Sequence, residues 1–164
     1  KGVEFDMHTD VSRSGELVWE SVNTFYCRGL FGAGGAASPT ASAPPPGDTV
    51  VADWCAGDSS GWRFAALTGD YNGIHYWSWY ARRLGFRRAF LHPQLALGQC
   101  MSHLITRPAA ESQRLDAWLK GPVYTGASVR LRAETEPHQT TFGLFVEGDD
   151  RPAIVGRWAT GGRE

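Results

Sequence analysis

The clearest hydrophobic pattern lies in the second half of the chain, where apolar and charged residues alternate over residues 127–134. A period of two predicts a strand with one dry face and one solvated face. Two more strands are predicted over residues 140–147 and 153–160, joined through the turn-forming segment 148–152. These three consecutive strands are expected to form an antiparallel meander.

A helix is predicted before these strands, beginning at Pro93 and ending before Pro108. Proline is tolerated in the first turn of a helix. The apolar residues on its wide face, which should be largely buried, are Leu95, Leu97, Cys100, Met101, Leu104 and Ile105. A shorter helix is predicted over residues 76–84 with Gly85 as its stop, and residues 48–69 are expected to be loop-like. The pattern predicts an α+β fold in which an antiparallel sheet wraps around a central apolar helix.

The start of the chain has a different organisation. Residues 3–8 and 16–28 have strand composition, and residues 9–15 have turn composition. A two-stranded ribbon is marginally stable alone, so it is expected to pair with a sheet elsewhere. Residues 30–47 are rich in Gly, Ala and Pro and are interpreted as a linker. The predicted organisation is therefore a ribbon over 1–29, a linker over 30–47 and a complete domain over 48–164.

Composition narrows the class of protein. A chain of 164 residues with 42% hydrophobic and 20% charged residues has the composition of one globular domain. The net charge of −1 favours neither nucleic acid nor an anionic membrane as a partner. No apolar run approaches the roughly 20 residues of a membrane span. Because the chain begins with Lys1 and not with Met, it is expected to be a piece of something longer.

The cysteines and histidines suggest no metal site. Three cysteines without CxxC spacing predict neither a disulfide framework nor a thiolate site, and reduced thiols fit a soluble cytoplasmic protein. The five histidines lack the short spacing typical of metal ligands. Cys100, at the centre of the apolar helix, is interpreted as core filling, and His103 on the same helix as structural.

The segment 68–75 brings an acid and an imidazole together, because Asp70 and His75 lie five residues apart in a turn that contains two glycines. Unperturbed Asp and His have pKa values of about 3.9 and 6.5, so near neutrality this pair can exchange protons with a water molecule. The alternative is that Asp70 is a turn carboxylate and His75 a hydrogen-bonded structural residue.

The residues around this turn extend the motif. Segment 64–75 reads Phe-Ala-Ala-Leu-Thr-Gly-Asp-Tyr-Asn-Gly-Ile-His, and Ala81, Gly85-Phe86 and Leu91-His92 follow it. This order and spacing resembles the MaoC-like dehydratase family, the (R)-specific enoyl-CoA hydratases of hotdog fold. The resemblance covers residues 50 to about 105. It implies a hydro-lyase without a metal or other cofactor, in which Asp70 and His75 hold the water that adds to a trans-2-enoyl thioester.

The resemblance also implies partners. The substrate would be an acyl-CoA or an acyl-carrier-protein thioester, and the protein would be a homodimer or a pseudo-dimer of hotdog domains. Residues 3–28 resemble the final strands of a preceding hotdog, as in double-hotdog members of the family. A single domain with a strand extension at its N-terminus is the alternative.

Two positions depart from the family pattern. Gly73 stands where the family usually has Pro, which loosens the turn without removing a functional group. Pro93 stands where the family has Gly, whose N–H points at the thioester carbonyl; proline has no N–H. Three interpretations remain open: an N–H of Gln94 or Leu95 replaces it, the Gln94 side chain does so, or the protein is weakly active or inactive.

The remaining candidates have structural alternatives. Asn72 would orient the turn, which an Asx-type bond to the backbone would equally do. His92 belongs to the oxyanion region or is simply packed at the start of the helix. Four arginines just after the motif suit CoA phosphates or form a solvated face: Arg82, Arg83, Arg87 and Arg88. The nearby aromatic residues Trp77, Trp79 and Tyr80 are expected to lie in the core.

Two other functions compete with hydration. A hotdog thioesterase would use the carboxylate to activate water against the thioester itself. A module that binds acyl thioesters or mediates dimerisation without catalysis would follow if Pro93 abolishes the oxyanion site.

Overall fold

A computed structural model describes residues 2–29, 42–57, 60–105 and 112–161. The chain divides into two compact units, Lys1–Ser42 and Ala43–Glu164. Among the described residues, the first unit contains two strands and the second contains five strands and three α-helices. The strands are β1 (Gly2–Arg13), β2 (Glu16–Arg28), β3 (Thr49–Cys55), β4 (Gln113–Leu119), β5 (Ser128–Thr135), β6 (Gln139–Val146) and β7 (Pro152–Thr160), and the helices are α1 (Ser60–Thr68), α2 (Ser78–Arg83) and α3 (Pro93–Leu104).

The linker predicted over residues 30–47 falls only partly within the description, because residues 30–41 lie outside it. Its last residues belong to the second unit, which begins at Ala43. Gly47 is buried and lies so close to β5 that a Cβ there would overlap the backbone of Ala133 and Glu134. The end of this segment therefore packs on the sheet.

The first unit is an antiparallel hairpin of β1 and β2. The prediction that residues 9–15 form a turn is wrong, since β1 continues to Arg13 and the turn consists of Ser14 and Gly15, both at positive φ. Exposed apolar side chains are most numerous on one face of the hairpin, where the rings of Phe5 and Phe25 stack with centroids 5.1 Å apart. The members of this face are Val3, Phe5, Met7, Val11, Trp19 and Phe25.

The second unit contains an antiparallel sheet of five strands in the order β3-β5-β6-β7-β4. The predicted strands over 127–134, 140–147 and 153–160 are confirmed as β5, β6 and β7. Leu131, Leu144 and Ile154 from their inner faces are buried together with Ala96 and Cys100 of α3. The predicted α+β architecture, with a sheet around an apolar helix, is confirmed.

Helix α3 is buried more narrowly than predicted. It begins at Pro93 as expected, but Ala96 and Cys100 are its buried residues, and the larger apolar side chains are half-buried. Ile105, just beyond the helix, is exposed. Burial raises the pKa of the Cys100 thiol to about 12, in agreement with its interpretation as a core residue.

Several elements escaped the sequence patterns. The loop expected over residues 48–69 contains β3 and α1, and β4 was not predicted. Both β3 and β4 are edge strands with mostly exposed side chains, and a bulge between Val50 and Ala52 interrupts the alternation of β3. The helix predicted over 76–84 is shorter, and a separate 3₁₀ turn, Gly73–His75, precedes it. None of the described helices has the length and hydropathy that a membrane span requires.

The close packing of Phe142 on Gly156 of the neighbouring strand is testable. A Cβ at Gly156 would overlap the Phe142 ring, so we expect Gly156→Ala to lower the free energy of unfolding by about 1–3 kcal/mol. Urea denaturation measures the change. In the control Gly98→Ala, the added Cβ meets nothing within 4 Å, and better helix propensity should stabilise the protein by about 0.5–1 kcal/mol. Unchanged stability of Gly156→Ala would contradict this packing.

Candidate active site

The candidate site begins where α1 ends. The Thr68 hydroxyl donates to the Phe64 carbonyl at 2.8 Å, and the Gly69 N–H donates to the Ala65 carbonyl at 2.7 Å. Gly69 has φ +80, a left-handed conformation that glycine adopts without a steric penalty. The chain can therefore reverse direction immediately before Asp70.

Two side-chain bonds hold the turn that follows. Asp70 Oδ1 accepts the N–H of Asn72 at 3.2 Å, and Asn72 Oδ1 accepts the N–H of Ile74 at 3.3 Å. The second bond caps the 3₁₀ turn that carries His75. Asn72 thus makes the Asx-type bond that the sequence allowed. One oxygen of the Asp70 carboxylate is engaged in the turn, and the side chain as a whole is 50% exposed.

His75 is almost completely buried, with 4% of its surface exposed. Its Nδ1 lies 2.9 Å from the carbonyl oxygen of Phe90. Since a carbonyl oxygen only accepts, Nδ1 carries the hydrogen, and Nε2 of the neutral ring is left as an acceptor. Phe90 is itself held by a bridge to Tyr124.

The pKa of His75 is lowered from its usual 6.5. Burial is the largest cause, because it disfavours the charged ring. The bond to the Phe90 carbonyl raises the pKa, nearby His92 lowers it and Asp70 raises it. The net result favours a neutral imidazole near pH 7.

His92 is fully buried at the start of α3. Its Nε2 donates to the carbonyl oxygen of Asp70 at 3.0 Å, whereas Oδ2 of the same residue is 3.8 Å away, beyond hydrogen-bond distance. Its Nδ1 is buried without a hydrogen-bond partner among the described residues. The ring stacks on that of His75, with centroids 3.7 Å apart and planes inclined by 25°.

Asp70, His75 and His92 each offer one ligand-type atom, and the three atoms lie within 4.8 Å of one another. A single water can bridge a gap of this size with two hydrogen bonds of about 2.8 Å. The half-exposed carboxylate and the buried imidazole are therefore close enough to share the protons of one water molecule.

The same three groups are close enough to be considered as metal ligands. Ring nitrogens that bind one zinc ion must direct their lone pairs at a common point about 2.0–2.1 Å away. The in-plane lone pairs of these two rings instead lie in separate planes inclined by only 25°, with the ring centroids 3.7 Å apart, so they do not converge on one point. Nε2 of His92 also already faces the Asp70 carbonyl. The geometry suits proton exchange better than chelation.

The other predicted site residues lie at the surface. Gln94 is exposed in the first turn of α3, where its N–H and that of Leu95 have no acceptor within the helix. The four arginines at positions 82, 83, 87 and 88 are all exposed. Arg82 Nε donates to the Arg87 carbonyl, and the Arg87 guanidinium lies 5.7 Å from the Tyr124 ring. Within the described part of the chain, none of the four forms an ion pair.

The aromatic residues after the motif are not in the core, and that expectation is wrong. Trp77 and Trp79 are 46% and 59% exposed. The short helix α2 buries Ala81 and leaves its aromatic side chains outside. Ring contacts connect them into a surface cluster, the aromatic cluster, whose members are Trp62, Tyr71, Tyr76, Trp77, Trp79 and Tyr80.

The aromatic cluster also accounts for Gly73. A Cβ at this buried position would lie 2.8 Å from the Trp77 ring and 3.1 Å from the Tyr80 ring. The rings occupy the space that a side chain at position 73 would need. Glycine is therefore the residue that the packing requires here.

Sequence reasoning missed two contributors to the site. Phe90 supplies the carbonyl that fixes His75, and no side-chain pattern could reveal this because every residue has a carbonyl. Phe64 contacts His92 with ring centroids 4.8 Å apart. Its place at the start of the motif was the available signal.

Comparison with solved structures identifies the fold. An (R)-hydratase from A. caviae involved in PHA biosynthesis matches with a TM-score of 0.58 and 22% identity, over 73% of this chain and 98% of its own. A MaoC-like dehydratase from Phytophthora capsici matches with a TM-score of 0.81 and 19% identity, over 100% of this chain and 61% of its own. HtdX of Mycobacterium tuberculosis matches with a TM-score of 0.76 and 20% identity, over 96% of this chain and 59% of its own. The chain has the hotdog fold of these proteins.

The predicted resemblance to MaoC-like dehydratases and (R)-hydratases is thereby confirmed at the level of the fold. No protein-family model and no curated protein matches the chain. The chain spans 59% of HtdX and 61% of the P. capsici dehydratase, and nearly the full length, 98%, of the A. caviae enzyme.

The lowered pKa of His75 links stability to pH. The unfolded chain binds a proton on this residue at a higher pH than the folded chain does. The contribution of neutral His75 to the free energy of unfolding is therefore fully present above pH 6.5, the pKa of the unfolded chain. It is lost as the pH falls through the lower pKa of the folded chain. We expect the urea concentration at the unfolding midpoint to decrease as the pH is lowered from 7.5 to 5. His75→Phe should make this dependence on pH weaker. The control His138→Gln, at an exposed histidine, should keep it; equal slopes in wild type and His75→Phe would contradict the shift.

Proposed function

We propose that this chain is a MaoC-like hydro-lyase that reversibly hydrates a 2-enoyl thioester, with Asp70 and His75 acting on one water. Two observations carry the proposal: the bond from Nδ1 of buried His75 to the Phe90 carbonyl leaves Nε2 as the proton acceptor, and a nitrogen of this ring lies within 4.8 Å of an Asp70 carboxylate oxygen. Hydratases and dehydratases among the proteins of the same fold support it. No cofactor is needed for this chemistry.

The reaction adds one water across a conjugated double bond. In this proposal the Asp70–His75 pair accepts a proton from the water while the water oxygen forms a bond to the β-carbon. The π electrons move toward the thioester and give an enolate. A proton returned from the same pair to the α-carbon completes the 3-hydroxyacyl thioester, and the reverse sequence is dehydration.

The environments of the two groups suit these roles. Half-exposed Asp70 presents its carboxyl group to water, while burial lowers the pKa of His75 and keeps its ring neutral. A neutral ring whose Nδ1–H is held by a carbonyl can accept a proton only at Nε2. The pair thus has a defined acceptor for the proton of the attacking water.

The enolate oxygen also needs a hydrogen-bond donor. Pro93 cannot supply one, but the next two N–H groups of α3, those of Gln94 and Leu95, have no helical acceptor. We assign the thioester carbonyl to one of these N–H groups, with the Gln94 side chain as the alternative donor. The positive end of the helix dipole lies at the same place.

The wider proposal concerns the substrate carrier and the assembly. Four exposed arginines at positions 82, 83, 87 and 88 offer positive charge to the phosphates of CoA or of an acyl-carrier-protein arm. We propose that a second hotdog domain, in a dimer or pseudo-dimer, covers the exposed apolar face of the β1–β2 hairpin. The cytoplasmic location inferred from the cysteines stays a prediction.

The absence of an N–H at Pro93 favours one competing function, a non-catalytic module that binds acyl thioesters. Calorimetry with a saturated acyl-CoA measures binding independently of turnover, and release of free CoA from that ligand detects a thioesterase. Binding without hydration of the unsaturated analogue would favour the module over the enzyme.

The hydro-lyase assignment predicts a direct assay result. Purified protein should consume the conjugated double bond of trans-2-enoyl-CoA, followed by the loss of its ultraviolet absorbance. Asp70→Asn and His75→Ala should each lower kcat by about 10²–10⁴-fold, because each removes one member of the proton-transferring pair. The exposed residues Asp150 and His138 provide matched controls, Asp150→Asn and His138→Ala, with unchanged kcat. Equal rates in wild type and both site variants would exclude the assignment.

The Pro93 substitution predicts a gain of activity. Pro93→Gly restores an N–H at the first position of α3, and one oxyanion donor contributes roughly 10²–10³-fold to turnover in other enzymes. We expect kcat to rise by about tenfold, because the restored N–H adds a second donor to the one assigned to Gln94 or Leu95. Pro93→Ala adds the same N–H with a better helix propensity and controls for loosening of the helix start. An unchanged kcat in both variants would indicate that Gln94 or Leu95 already does this work.

A further inference from the structure

We propose that His92 is a positioning residue, which holds the main chain of Asp70 and the ring of His75 in a fixed relation so that both act on one water. The inference rests on the hydro-lyase function proposed above. It assigns His92 a specific task, distinct from the oxyanion region in which the sequence placed it.

The bond from His92 to Asp70 is the first support. His92 has no exposed surface, and its Nε2–H donates to the Asp70 carbonyl at 3.0 Å across 22 residues of sequence. A buried N–H that loses its hydrogen-bond partner is destabilising, so this bond holds the Asp70 carbonyl next to Nε2 of His92. The carboxylate follows because Oδ1 is tied to the Asn72 N–H in the same turn.

The stacking on His75 is the second support. Ring centroids 3.7 Å apart leave no room for the His75 ring to tilt toward His92. Phe90 closes another side, with its ring edge-on at 5.0 Å and its carbonyl on Nδ1. These contacts hold the ring plane of His75, and hence the direction of its free Nε2.

An ordinary structural role for His92 explains these contacts less well. A histidine at the start of a helix can be retained as a cap, but the His92 side chain makes no capping bond to α3. Its Nε2–H instead donates to the Asp70 carbonyl, and its Nδ1 has no partner among the described residues. The His92 side chain therefore holds the turn at Asp70 and does not cap α3.

The stack has an electrostatic consequence. Two protons on this pair would place two positive charges face to face, so His92 opposes protonation of His75 and lowers its pKa. Asp70 acts in the opposite direction and raises it. Phe64 of α1 and Phe90, the other residues in ring contact with the pair, are uncharged.

Two substitutions separate the hydrogen bond from the stacked ring. His92→Phe keeps a ring on His75 and loses the donor to Asp70, so kcat should fall by about 10–100-fold through misplacement of the carboxylate, with KM little changed. His92→Gln keeps an amide donor and loses the ring, so kcat should fall less. In both variants the acid limb of the kcat/KM profile should move to higher pH, because the second imidazole is gone.

The decisive readout does not require activity. NMR titration of the His75 ring should give a higher pKa in His92→Gln than in wild type, whereas the control His103→Gln, on the exposed face of α3, should leave it unchanged. An unmoved His75 pKa in His92→Gln, or a wild-type kcat in His92→Phe, would overturn the inference. Wild-type protein that hydrates no enoyl thioester would instead contradict the proposed function, since the titration gives its answer independently.

Discussion

The site depends on the close approach of α3 to the sheet. Ala96 and Cys100, the buried residues of the helix, belong to one core cluster with Leu131 and Leu144 of the sheet, and their small side chains allow the helix to pack closely. Close packing of this kind transmits position, because a buried helix cannot shift without opening a void. His92 is the residue immediately before that helix. The hydrophobic core therefore determines where the buried imidazole of the site lies.

The segment before α3 is fixed in a second way. The Leu91 N–H donates to the Val123 carbonyl at 2.8 Å, and the Thr125 N–H donates to the Ala89 carbonyl at 3.1 Å. These bonds present the Phe90 carbonyl to His75. Main-chain atoms thus hold both imidazoles, one by accepting from His75 and the other by accepting from His92. Such bonds survive changes of side chain, because every residue carries a main-chain carbonyl.

Sequence periodicity predicted the parts of this arrangement that are regular. Strand β5 alternates between buried and solvent-facing residues, β6 and β7 are apolar runs joined by a turn-forming segment, and α3 has Pro93 at its start, so all four elements were found. The edge strands β3 and β4 were missed because edge positions face solvent and carry a weak pattern. Order along the chain also brought Asp70, His75 and His92 forward as candidates. It could not show that the two rings stack or that backbone carbonyls orient them, since these depend on the meeting of α1, the 3₁₀ turn and α3.

The two departures from the family pattern differ in kind. At Gly73 the stiffness that a proline would provide is supplied by the Asx-type bonds of Asp70 and Asn72 and by the Trp77 and Tyr80 rings packed on the glycine. That change replaces one means of holding the turn by another. Pro93 fits the helix start as well as glycine would, because its φ suits the first turn. What it removes is a donor and not a support. In the proposed reaction the Asp70–His75 pair is therefore unaffected, and the stabilisation of the enolate is assigned to the remaining N–H groups of α3.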